Sequence, residues 1–159
     1  MTSTRFLARR VVRAFALPAA ALVMVAALLP AQTEALERTE MGCLALNIYH
    51  EARGESRQGQ LAVAAVTLNR VRDERFPNSV CAVVWQPRQF SWTHTLRNYF
   101  PTDMKARKKA MKIAEASLSK QVVAEYDNLL YYHSKQVRPL WSRSKRFVAR
   151  VGSHLFYSS

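Results

Sequence analysis

The chain has 159 residues, 49% of them hydrophobic, and 24 lysines and arginines against 11 acidic residues, for a formal charge of +13. That length leaves no room for a second domain of ordinary size, and the charge favours anionic partners: nucleic acid, acidic lipid headgroups or an acidic wall polymer.

The first stretch to be set aside is the N-terminal one. Arg5, Arg9, Arg10 and Arg13 stand there without an acid, and an apolar run follows from Ala14 to Leu29. A basic segment followed by an apolar run shorter than a bilayer needs reads as an export signal over residues 1–31, with a retained membrane anchor as the alternative. Ala31 and Ala35 offer small residues for cleavage. Without residues 1–31 the charge is +9 (13 − 4), so the remaining domain, 38–159, stays basic. An exported, periplasmic or extracellular domain has little opportunity to meet nucleic acid, which leaves a wall polymer as the expected anionic partner. Contact with the membrane is expected only if the N-terminal segment is retained.

Two helices are predicted next. In TEMGCLALNIYHEAR, residues 39–53, Met41, Leu44, Ala45, Ile48 and Ala52 form one stripe, while Leu46 and Tyr49 lie off it, so the helix is expected to sit centrally. Thr39 is its expected N-cap, and Gly54 its stop or bend. A second buried helix is predicted over 57–72, ending before Pro77. From Cys81 to Thr102 the text is aromatic and broken by Pro87 and Pro101, and loops with short turns are expected. A third helix over about 102–120 carries Lys105, Arg107, Lys108, Lys109 and Lys112. The stretches 129–133 and 154–157 are rich in β-formers and predict a small antiparallel pairing around a basic loop. The class is α+β, mostly helical, with a small β element.

IYHEARGE, residues 48–55, poses the chemical question. A zinc helix places a second histidine four residues after the first, and here that position is Gly54. No metal and no cofactor are expected. At about 100° per residue, Glu51 falls at about 280°, on the edge of the apolar stripe, whereas His50 falls at about 180° and points away. A carboxyl half-covered by apolar groups has a raised pKa, and the negative end of a helix dipole acts the same way. Those are the conditions for a general acid at neutral pH. Glu55 shares the site or leaves it according to how the chain bends at Gly54, and Arg53 would lower either pKa. An ordinary charged helix end fits the same spacing. No second carboxylate is marked by its surroundings, so chemistry with one essential carboxylate suits the chain better than a two-carboxylate glycosidase. Gln89, Phe90 and Ser91 in QPRQFSWT, with His133 and Trp141 in the later basic loop, supply the amides, hydroxyls and rings of a glycan groove. Phe90 and Trp92 fit a core equally well. Cys43 and Cys81 are compatible with a bridge in an oxidising compartment or with two buried thiols.

LALNIYHEARGESRQGQLAVAAVTLNR, followed by FPNSVCAVV, QFSWT and the terminal HSKQVRPLWSRSKRFVARVGSHLFY, resembles the cell wall hydrolase family of the SleB, spore cortex-lytic type. The resemblance covers about residues 40–158. It implies a lysozyme-like, lytic transglycosylase-like domain acting on peptidoglycan glycan strands at the bond between N-acetylmuramic acid and N-acetylglucosamine. Glu51, the first glutamate of EARGE, would be the catalytic residue. It would protonate the leaving oxygen and then take the proton of the muramic 6-hydroxyl as a 1,6-anhydro ring closes, so that the substrate supplies the nucleophile. The resemblance also implies a Cys43–Cys81 disulfide. An N-acetylmuramidase-type hydrolase and a non-catalytic wall-binding or assembly factor are the alternatives. No separate wall-binding domain like that of the spore enzymes is expected, and cortex-specific recognition is not expected with it.

Overall fold

The structure is a computed structural model, and it describes residues 39–119 and 126–159. The expected export segment lies outside them. The elements are α1 (Glu40–Ala52), α2 (Arg57–Arg72), α3 (Val80–Val84), α4 (Trp92–Thr95), α5 (Met104–Leu118), β1 (Tyr131–Ser134), a 3₁₀ turn (Leu140–Arg143), β2 (Arg146–Val151) and β3 (His154–Ser158).

α1 starts where the sequence places it, because the Thr39 hydroxyl accepts from the Gly42 amide at 3.0 Å. Its residues Gly42–Tyr49 are all buried, as a helix apolar around most of its circumference requires. α2 packs beside it and buries every residue from Gly59 to Arg70. Within this core Asn47 donates to the Thr67 hydroxyl at 3.1 Å and accepts from the Trp92 indole at 3.4 Å. Gln60 donates to the Ala52 carbonyl at 3.0 Å, satisfying one of the free carbonyls at the end of α1. At the other end of α1, Glu40 accepts from the Val80 amide at 2.6 Å, and Cys43 is disulfide-bonded to Cys81, so α3 is held to the first turn.

The segment expected as loops contains the short helices α3 and α4, and its aromatics point inward: Phe90 and Trp92 are buried. His50 is the corresponding correction on α1. It does not point away; its ring stacks on Trp92 at 4.4 Å and its Nε2 donates to the Tyr99 carbonyl at 2.7 Å. Helix periodicity alone takes the opposite side of a stripe for solvent, and here α4 and the following loop cover it.

The small sheet has the order β1-β3-β2, antiparallel throughout. The expected pairing of β1 with β3 is present. The basic stretch between them is a strand as well, β2, with an irregularity between Phe147 and Ala149. Its burial shows little alternation, because its side chains lie mostly in solvent, and so the periodic signal of a strand was absent. Asn69 donates to the carbonyls of Tyr126 and Leu129, and Arg70 to that of Leu130, so the end of α2 carries the entry to β1. Directly paired residues share a sheet face and neighbours alternate, which puts Tyr132, Phe156 and His154 on one face and Tyr131, His133 and Tyr157 on the other.

Candidate active site

Glu51 lies in the last turn of α1, half-buried. Its Oε2 accepts a hydrogen bond from the Tyr132 hydroxyl at 3.1 Å. Burial raises the carboxyl pKa above its ordinary value, while the Tyr132 hydrogen bond and the positive charge of Arg70 oppose that rise. Burial pushes the Tyr132 hydroxyl well above its usual range, and the Glu51 charge adds to the rise, so it is a neutral donor. The arrangement holds one carboxyl that keeps its proton to higher pH than an exposed one, fixed in direction by one side chain.

The counter-charge is Arg70, on α2, and not the expected Arg53, whose guanidinium turns instead to the Tyr49 hydroxyl at 3.2 Å. Arg70 is buried, donating to the Leu130 carbonyl at 2.8 Å and to the Gln89 side-chain oxygen at 3.1 Å, with the rings of Phe76, Phe90 and Tyr131 around its guanidinium. Sequence reasoning singled out neither Arg70 nor Tyr132. An arginine at the end of the buried run of α2 was the available signal for the first. Tyr132 carried none, since its partner stands 81 positions away.

Glu55 is brought to a different place. The chain turns at Arg53 and Gly54, and the Glu55 side chain accepts from the Ser153 amide at 3.2 Å, in the turn between β2 and β3. Two glycines make room for it. A methyl group on Gly59 would meet the Glu55 Cβ at 2.9 Å, and one on Gly152, whose φ is +58°, would overlap its Oε2. His154 Nδ1 lies 3.9 Å from Glu55 Oε1. Burial lowers the His154 pKa, although Glu55 raises it in part, so the histidine is neutral at neutral pH. Glu55 therefore joins the helix end that carries Glu51 to the hairpin next to Tyr132. Replacing Glu55 by alanine leaves the Ser153 amide without its acceptor and is expected to destabilise the domain by about 1–3 kcal/mol, read from urea unfolding midpoints.

The remaining candidates divide in two. Gln89 is exposed and touches Arg70, so it stands beside the Glu51 cluster. Ser91 is exposed at the start of α4, where its carbonyl accepts from Thr95. Phe90 is only 3% exposed; its ring lies in the core beneath Arg70 and offers no free face to a sugar, a correction to its assignment in the groove. His133 is buried, donating from Nδ1 to the Ser134 carbonyl and accepting at Nε2 from the Tyr157 hydroxyl at 2.9 Å. Trp141 packs against Tyr131, His133 and Tyr157, on the sheet face opposite Tyr132. These two rings are thus not brought to Glu51; they support the sheet from behind. Among the described residues no group of His, Cys, Asp or Glu side chains is placed to hold a metal ion.

The fold is α+β, mostly helical, of the lysozyme-like class expected. Its catalytic-domain relatives are solved: the catalytic domain of the Bacillus cereus SleB protein matches with a TM-score of 0.58 at 30% identity, over 75% of this chain and 89% of that one. The catalytic domain of the germination-specific lytic transglycosylase SleB from Bacillus anthracis matches with a TM-score of 0.57 at 31% identity, over 76% and 95%. The chain belongs to the cell wall hydrolase family, whose profile matches residues 54–157. That match begins three residues after Glu51. The spore cortex-lytic enzyme of Bacillus subtilis is 31% identical over 71% of this chain, and that of Bacillus cereus 30% identical over 75%. The chain spans only 35% and 44% of the length of these two relatives.

Proposed function

We propose that the protein is an exported peptidoglycan glycosidase that cleaves the bond between N-acetylmuramic acid and N-acetylglucosamine as a lytic transglycosylase, with Glu51 as its catalytic residue. The observation that carries this reading is the Glu51 carboxyl, half-buried, raised in pKa by burial and aimed by the Tyr132 hydroxyl. Family membership supplies the wall as substrate, and the Bacillus anthracis relative, a germination-specific lytic transglycosylase, supports the reaction type.

In the first step the protonated Glu51 gives its proton to the glycosidic oxygen as the bond to the muramic anomeric carbon breaks. Glu51, now a carboxylate, is stabilised by Tyr132 and Arg70. In the second step it takes the proton of the muramic 6-hydroxyl while that oxygen closes on the anomeric carbon. The carboxyl ends as it began, and no second carboxylate is required.

Export to a periplasmic or extracellular location is supported by the basic and apolar character of residues 1–31 and by the disulfide, which persists in oxidising compartments. Among the described residues no helix is long and apolar enough to cross a membrane.

The test is the mass of the products from purified sacculi. Anhydro ends, lighter than reducing ends by one water, are the expected result; reducing ends alone would make the enzyme a muramidase. Tyr132→Phe removes one hydrogen bond to the charged form of Glu51 and is expected to lower the turnover rate roughly tenfold. It also removes an interaction that lowers the Glu51 pKa, so the alkaline limb of the pH profile should move upward. A loss of rate with an unmoved profile would reduce Tyr132 to a packing role.

A further inference from the structure

Beside the exposed end of α1 runs a groove of about 480 Å³ lined by Arg53, Lys105, Lys108, Lys109 and Lys112, with Asp103 and Ala106. The five cationic side chains are exposed. The one carboxylate in the lining, Asp103, caps α5 by accepting from the amides of Lys105 and Ala106 at 3.0 Å. Among the described residues no carboxylate forms a salt bridge with any of the five. Lys109 turns its ammonium to the Glu55 carbonyl at 3.3 Å, which fixes the groove to the α1–α2 turn.

The four lysines of α5 stand at i, i+3, i+4 and i+7, so they share one helix face and repel one another. Each such pair weakens the helix, and an acid or a glutamine at any of the positions would relieve it. A concentration of like charge that costs stability and is left unneutralised is a site for an anion supplied from outside. Its place selects which anion. The groove begins at Arg53, two residues beyond Glu51 at the same end of α1, so the lysines stand at the helix end that carries the catalytic candidate.

Resting on the function proposed above, we infer that this groove docks the carboxylates of the peptide stems that project from the glycan strand being cleaved. Stem carboxylates recur along such a strand, and a row of exposed ammonium groups on a helix matches a recurrent, mobile set of anions better than one rigid site would. The contacts are exposed, so binding through them weakens as salt screens the charges.

The experiment uses Glu51→Gln protein, which leaves the polymer intact, and measures co-sedimentation with purified sacculi. Combining Glu51→Gln with Lys105→Gln, Lys108→Gln and Lys112→Gln is expected to weaken binding roughly tenfold at low ionic strength, with the difference shrinking as salt is added. The corresponding three Lys→Arg changes should retain binding. On glycan stripped of its stems by an amidase, the glutamine variant and its parent should bind alike. Equal binding of both to intact sacculi would overturn the proposal, as would a difference that persists on stripped glycan. A difference that requires wall-linked phosphodiester polymer would overturn it too. The measurement is independent of catalysis: protein with Glu51 in place that releases no muropeptides, while lysine-dependent binding holds, would refute the enzymatic reading and leave the surface standing.

Discussion

A Glu51→Gln protein is expected to release soluble fragments from purified sacculi about 10²–10⁴ times more slowly than its parent, the range that one general acid–base group supplies. Glutamine keeps the shape of the side chain and can still accept from Tyr132, but it has no proton to deliver to the leaving oxygen. The same change should not damage the fold. Burial holds the Glu51 pKa above its ordinary value, so the folded protein binds that proton more tightly than the unfolded chain does. The favourable contribution is complete below the unfolded carboxylate value and is lost as pH rises through the raised folded value. At neutral pH the charged form is therefore a burden, and the glutamine variant should be at least as stable as its parent. Its advantage should vanish as the pH falls below the ordinary carboxylate range. Activity that depends on the protonated carboxyl should in turn decline on the alkaline side of the raised pKa. An active Glu51→Gln protein would sink the mechanism. An inactive one that is also poorly folded would contradict the burial argument.

The second large effect concerns stability. Cys43 and Cys81 are 38 positions apart, and closing a loop of that length removes about 4 kcal/mol of unfolded-chain entropy on the loop-closure account. Replacing both by alanine is expected to lower the midpoint of thermal unfolding by on the order of 15 °C in a domain of this size. The bridge joins α3 to the first turn of α1, about two helical turns from Glu51, so catalysis per folded molecule should change little at temperatures where the variant is folded. Thermal scans by circular dichroism, with and without a reducing agent, measure the effect. A variant as stable as its parent would mean that the Glu40–Val80 contact and the core around α1 suffice to hold α3 in place.

How much of this was legible beforehand depended on the range of the forces involved. The three longer helices, the Thr39 cap and the central position of α1 follow from local periodicity and from capping chemistry, and both act within a few residues. The placement of Glu51 on the edge of an apolar stripe is the same kind of inference. β2 was missed because its exposed side chains carry no alternation. Phe90, His133 and Trp141 were offered to the groove because ring type does not reveal burial: Phe90 floors the Arg70 site, and the other two lie behind the sheet.

The amino-acid sequence by itself determined a basic domain with one central apolar helix and a carboxyl at the boundary of that helix's buried face. Only the tertiary structure decided what the carboxyl meets. It sent Tyr132 and Arg70 to Glu51, from 81 and 19 positions away, and carried Glu55 off to the hairpin at Ser153. A pKa depends on burial and on charges a few ångströms distant, and the turn at Gly54 separates two glutamates that one helix would have kept together.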